Sequence, residues 1–274
     1  MGYAHWLPDT LRAHGLVVHE VPGWQTRGSS SFAPRGVVCH HTASHAGSDH
    51  PALGIVTNGR PDLAGPLCNV LLARTGDCYV VASGRANHAG DGGWRGLTGN
   101  SSVLGIEAEN NGVGEPWPAH QIAAYVRLCA ALCAGGGFNA TTVCYHREWA
   151  PTRKIDPAGP GFPADGNSWR ARVALDLAAP PPLTDDQKLF ILLAAKKKAD
   201  ALPVLGRGMV ARPHRRAVAR LQQLLGLTRT GVYGTATRAK VKGVQTFFGL
   251  PVTGICDRDT WMWVIYAALT KGRR

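Results

Sequence analysis

The sequence predicts a mixed α/β domain, a sheet flanked by helices, followed by a second, small all-α domain of three helices. Three observations carry this expectation. Short apolar runs bounded by turn residues alternate with a long segment of helical spacing in the first two thirds of the chain. A stiff stretch, Ala178-Ala179-Pro180-Pro181-Pro182, then breaks the pattern. Beyond it lies an internal repeat of short helical segments.

Val37-Val38-Cys39-His40 reads as a short buried strand, and Cys78-Tyr79-Val80-Val81-Ala82 as another, preceded by the turn Arg74-Thr75-Gly76-Asp77. Val103 to Glu109 is a third strand. Ile122, Tyr125, Val126, Cys129, Leu132 and Cys133 recur at helical spacing, which predicts a helix over 119–133 long enough to cover a sheet. The first domain is assigned to 1–177. Thr184 and Gln187 form a capping-box signal that starts a helix running through Phe190, Leu193 and Ala194 to about Ala201. The linker and this connecting helix take up 178–202, and the second domain 203–274.

In the second domain Val218, Leu221, Gln222, Leu225, Gly226, Leu227 and Gly231 recur as Val241, Val244, Gln245, Phe248, Gly249, Leu250 and Gly254, an offset of 23 residues (245 minus 222). Thr237 and Thr260 each stand six residues after the second glycine. Each copy predicts an amphipathic helix, a glycine C-cap and a turn leading to an N-cap threonine.

Charge divides unevenly. Of 30 Lys+Arg and 18 Asp+Glu, 17 and 5 lie in 184–274, leaving 13 and 13 before it, so the last third carries the whole net charge of +12. A neutral body joined to a basic module suits a polyanion: nucleic acid, anionic lipid or an acidic wall polymer. No stretch approaches the ~20 apolar residues of a membrane span. Asp9, Arg12 and Glu20 break the apolar runs near the N-terminus, which offers no secretory h-region. The seven cysteines form no CxxC pair and suggest reduced thiols made in a cytosol. Cys129 and Cys133, four apart in an apolar run, read as a packed helix face.

Among the eleven histidines, His41 and His45 have i, i+4 spacing but lack a zincin glutamate. His40 ends an apolar strand, His146 lies in Cys144-Tyr145-His146-Arg147-Glu148-Trp149-Ala150-Pro151, and Asp156 follows ten residues later. Two imidazoles and one carboxylate suffice for catalytic Zn²⁺, with the fourth position left for water. Spacing alone does not establish the set. Glu107 and Glu109 alternate onto one face of their strand, so either can point into a cleft.

These segments resemble the amidase family shared by phage lysozyme-type amidases, bacterial anhydro-muramyl-peptide amidases and animal peptidoglycan recognition proteins. The resemblance covers roughly 33–175 and implies that fold. It also implies His40, His146 and Asp156 as zinc ligands, Glu107 in Gly-Ile-Glu as general base, and Lys154 as the cation that stabilises the tetrahedral intermediate. His88, in Gly84-Arg85-Ala86-Asn87-His88-Ala89-Gly90, resembles a family loop histidine facing the cleft and is expected to touch substrate. Glu109 and Trp94 are expected beside it as further substrate contacts. One departure stands out: Pro66 follows Gly65 where many relatives carry a tyrosine, so the mechanism leans on Glu107.

Residues from about 203 to 270 resemble the three-helix peptidoglycan-binding module appended to cell-wall hydrolases, through Arg220 to Leu227 and Gly231-Val232-Tyr233-Gly234 with Thr237. Together the resemblances imply a phage endolysin: a zinc N-acetylmuramoyl-L-alanine amidase cutting the bond from the muramic lactyl group to L-alanine. Its expected partners are peptidoglycan and acidic wall polymers, with no nucleic acid and no membrane insertion, and it is expected to be a monomer. It is expected in the host cytoplasm, reaching the wall after membrane permeabilisation. The alternative is a non-catalytic peptidoglycan-recognition protein that keeps the fold without turnover.

Overall fold

The computed structural model describes residues 2–179, 183, 185–206 and 212–271. The chain divides into two units, 1–181 and 182–274. Pro180 to Pro182 of the expected linker and Thr184 of the expected capping box lie outside the described residues.

The first unit is built on a six-stranded mixed sheet. Its strands are β1 (Val18–Glu20), β2 (Val37–His41), β5 (Val70–Leu72), β6 (Cys78–Val80), β9 (Leu104–Ala108) and β10 (Val143–Tyr145), with β3 (Gly59–Arg60) and β4 (Leu63–Ala64), and β7 (Gly93–Trp94) and β8 (Leu97–Thr98), forming two small ribbons. The sheet order is β1-β6-β5-β9-β2-β10, and only the β5–β6 pair is antiparallel. Helices α1 (Leu7–Ala13), α3 (Ala119–Gly136) and α5 (Gly166–Ala178) share one core with the sheet. That core takes Val37 and Cys39 from β2, Leu104, Ile106 and Ala108 from β9, and Cys129 and Cys133 from α3. All seven cysteines are free and buried.

Strand alternation sends the intervening residues to the other face. There Val38 and Cys144 join a smaller cluster with Trp149, and Leu71 joins another with Val81 and with Val56 of the short helix α2 (Leu53–Asn58). His40 and Glu107 belong to this second face, paired across β2 and β9 in register.

The second expected strand ends at Val80 rather than Ala82. Val81 and Ala82 donate their N–H groups to the carbonyl of Asn69 instead of continuing the ladder. The fully buried Asn69 side chain donates to Ala82 O and Gly84 O and accepts from Gly105 N, stapling three strand ends. The expected central helix runs on to Gly136 and stops at Gly137, whose φ of 69° is left-handed.

The second unit contains α6 (Asp185–Asp200), α7 (Arg212–Leu224), α8 (Thr235–Phe247) and α9 (Arg258–Leu269). The helix expected as a connector, α6, instead contributes Ala195 and Ala199 to the core of this unit beside Trp261 and Val264 of α9. The repeat has a specific basis. Gln222 Nε2 donates to Thr230 Oγ1, Val232 O and Thr237 Oγ1, and its Oε1 accepts from Gly231 N. Gln245 makes the same four bonds to Thr253, Ile255, Thr260 and Gly254. The two threonines are therefore buried partners inside the first helical turn, while Gly234 and Asp257 occupy the N-cap positions expected for them. Among the described residues no helix is long and apolar enough to cross a membrane.

Candidate metal centre and active-site cleft

His40 lies in β2 one residue from its end, and His146 opens the short helix α4 (His146–Trp149) directly after β10, the strand paired with β2. Asp156 reaches the same point from the following loop, where Arg147 N donates to its carbonyl. His40 Nδ1 and His146 Nδ1 are 2.9 Å apart, and Asp156 Oδ2 lies 3.2 Å from the first and 3.1 Å from the second. This is the one group of candidate metal-binding side chains found among the described residues.

The outer hydrogen bonds assign the protons. His146 Nε2 is 3.0 Å from Ala89 O, an acceptor, so its proton sits on Nε2. His88 Nε2 donates to Val103 O at 3.3 Å, which leaves His88 Nδ1 to accept from His40 Nε2 at 3.0 Å. Both Nδ1 atoms at the centre are then bare lone pairs facing a carboxylate oxygen. Burial holds His40 down to about 4 and His88 well below the ordinary histidine range, so both rings are neutral at pH 7. Three acceptors in contact with no proton among them repel one another unless a cation lies between them. Tetrahedral Zn²⁺ with bonds of about 2.0–2.1 Å spaces its ligands by about 3.3 Å. The observed separations fit that ion.

The centre opens into a cleft of about 370 Å³ walled by Thr42, Arg60, Leu67, Asn87, Lys154 and Glu107, among others. Glu107 Oε2 has no accessible surface and no hydrogen-bond partner. Burial, and then the negative charge of Asp156, raises its pKa well above the ordinary carboxylate value, with Lys154 and Arg60 opposing. Lys154 also acts electrostatically on His40. An orphaned, proton-avid carboxylate and a lysine beside a three-acceptor metal site form a constellation suited to metal-assisted hydrolysis.

Of the three expected substrate contacts, His88 lines the cleft, whereas Glu109 and Trp94 do not. Glu109 lies just past β9 with no exposure, its carboxylate accepting from Thr42 Oγ1, Ser44 Oγ, Ala52 N and Arg74 Nη1. All of that binding capacity is directed into the protein, so Glu109 is a structural clamp. His88 lines the cleft, but both ring nitrogens are engaged, by His40 and Val103. Trp94 packs beside Val38 and Trp149 with Nε1 donating to Thr141 O and the Arg170 guanidinium 4.7 Å over its ring, away from the cleft. Sequence reasoning missed Arg60, which a two-residue ribbon strand brings to the cleft, and Asn69. Neither carries a local signal.

The profile described as "N-acetylmuramoyl-L-alanine amidase" matches residues 30–159, and that described as "Putative peptidoglycan binding domain" matches residues 215–264. N-acetylmuramoyl-L-alanine amidase AmiD of Escherichia coli (strain K12) is 33% identical over 118 residues, 40% of each chain, so the match spans less than half the length of that curated relative. Among solved structures, the complex of AmiD from E. coli with anhydro-N-acetylmuramic acid-L-Ala-D-gamma-Glu-L-Lys is 22% identical, covering 91% of this chain and 95% of its own, at a TM-score of 0.42. The endolysin amidase LysCS of Clostridium intestinale URNW is also 22% identical, covering 57% and 94%, at 0.41. Residues 30–159 are thus similar to the N-acetylmuramoyl-L-alanine amidase family. Residues 215–264 are similar to the peptidoglycan-binding family.

Proposed function

We propose that the protein hydrolyses the amide bond between N-acetylmuramic acid and L-alanine in bacterial peptidoglycan, with zinc as cofactor and the second unit holding it on the wall. The observation that carries this reading is the convergence of His40 Nδ1, His146 Nδ1 and Asp156 Oδ2, without a proton of their own, beside the unpartnered Glu107. Zinc, when bound there, supplies a Lewis acid for the scissile carbonyl and lowers the pKa of a coordinated water. Glu107, which lines the cleft, takes up a proton there and later returns it to the leaving amine; its raised proton affinity and the lack of a partner at Oε2 suit both steps. Lys154 offers positive charge to the oxygen on which negative charge develops. Arg60 adds a second cation at the cleft wall.

The basic excess of the last third supports an added attraction to acidic wall polymers. A hydrolytic domain followed by a wall-binding one also supports an endolysin role, with accumulation in the host cytoplasm and access to the wall after membrane permeabilisation. Expression in a host with and without a membrane-permeabilising agent tests that route, since lysis is expected only with the agent.

The activity is tested on purified cell walls by scoring new N-terminal alanine against new reducing sugar ends. Alanine amines that vanish with a chelator and return with zinc are the expected result. Wall binding with neither product under any metal condition would overturn the enzyme reading in favour of a recognition protein.

A further inference from the structure

His88 and Ala89 are consecutive in the chain, and each meets one imidazole of the metal centre on the side away from Asp156. His88 Nδ1 accepts from His40 Nε2 at 3.0 Å, and Ala89 O accepts from His146 Nε2 at 3.0 Å. Each contact fixes the ligand's proton on Nε2 and leaves Nδ1 bare at the centre. The pair does for both rings what a single outer partner does for one.

The stretch carrying them is held on three sides. Asn100 Oδ1 accepts from both His88 N, at 3.1 Å, and Ala89 N, at 2.8 Å. Arg153 Nη2 donates to Ala89 O at 2.9 Å and to Asp91 O at 2.6 Å. The His88 ring rests on Gly105, where a Cβ would come within 2.5 Å of the ring Cγ, so the ring fits only over a glycine. An imidazole can accept from His40 only while its own proton is on the other nitrogen, and Val103 O receives that proton at 3.3 Å. The relay from Val103 through His88 to His40 therefore has one internally consistent arrangement of protons.

We propose that His88 and Ala89 form a tautomer lock: positioning residues that hold both imidazoles in the Nε2–H form and thereby set the affinity of the site for zinc. This rests on the zinc reading above. Without an acceptor at position 88, His40 is free to exchange its proton between nitrogens and to rotate, and both motions withdraw the lone pair that faces Asp156. Loss of an outer partner of this kind costs about 10- to 100-fold in metal affinity.

The test compares His88→Leu, which removes the acceptor, with His88→Asn, whose Oδ1 can replace Nδ1. Zinc affinity is measured by chelator competition, with melting of the metal-free chain and nitrogen NMR of the histidine rings measured beside it. The expected result is a 10- to 100-fold weaker zinc affinity in His88→Leu with metal-free melting near wild type, mixed His40 tautomers, and substantial recovery in His88→Asn. Zinc affinity of His88→Leu equal to wild type overturns the lock while leaving the zinc reading intact. A wild-type chain that binds no zinc removes both. If His88→Leu does not fold, Asn100→Ala loosens the same two residues without touching the cleft, and there too unchanged affinity counts against the lock.

Discussion

Glu107 and Glu109 are two residues apart near the end of one strand, yet their carboxylates meet different surroundings. Glu107 has an acceptor atom with nothing to bind and a raised proton affinity. Glu109 is surrounded by donors from Thr42, Ser44, Ala52 and Arg74. Glu107→Gln is expected to lower wall hydrolysis by about 10²- to 10⁴-fold, the range for a lost general acid or base, with zinc affinity retained because Glu107 is not a ligand. Turnover within tenfold of wild type would remove Glu107 from that role. Glu109→Gln is expected to act on folding instead: Arg74 keeps Glu115, but the Thr42, Ser44 and Ala52 donors lose the carboxylate they converge on, at a cost of about 2 kcal/mol, readable as a lower midpoint in denaturant. Unchanged stability with lost turnover would restore Glu109 to the site.

At the scale of elements, the alternation along β2 and β9 creates the site. Val37 and Cys39 face the core under α3, so His40 must face the opposite side, and the β2–β9 register sets Glu107 beside it. The glutamine repeat makes a comparable argument in the second unit. Gln222 and Gln245 each saturate a glycine N–H, a carbonyl and two threonine hydroxyls in equivalent geometry. Gln222→Ala and Gln245→Ala should therefore destabilise the unit similarly, by about 2 kcal/mol each through orphaned buried groups. Amide hydrogen exchange across α7 to α9 measures this, and strongly unequal effects would argue against two equivalent clamps.

On the scale of the whole molecule, the two units have separate cores and different charge. A chain ending at residue 181 is expected to cleave a soluble muramoyl-peptide as the full chain does, but to sediment poorly with walls. Its rate on intact walls should fall roughly tenfold or more, because the second unit no longer supplies a high local concentration. Equal rates on walls would show that the second unit is no anchor.

Much of this was legible in linear order. The strand carrying His40, the helix over 119–133 and the 23-residue repeat are local patterns that follow from backbone preferences and side-chain period, whereas the segments carrying His146 and Asp156 were legible through their resemblance to a family motif. The three-residue strand β6 was legible because Val81 and Ala82 extend its apolar run after a turn, whereas β1, β5 and β10 were not, since runs so short show no period and form only where a neighbouring strand receives their hydrogen bonds. The same limit applied to the site. Sequence can say that Glu107, Glu109, His88 and Trp94 are chemically able to meet a substrate. Which of them keeps a free polar atom facing the cleft depends on partners far along the chain: Arg74 and Ala52 for Glu109, His40 and Val103 for His88, Thr141 and Arg170 for Trp94. Hydrogen-bond capacity is finite, and folding in three dimensions decides where it is used.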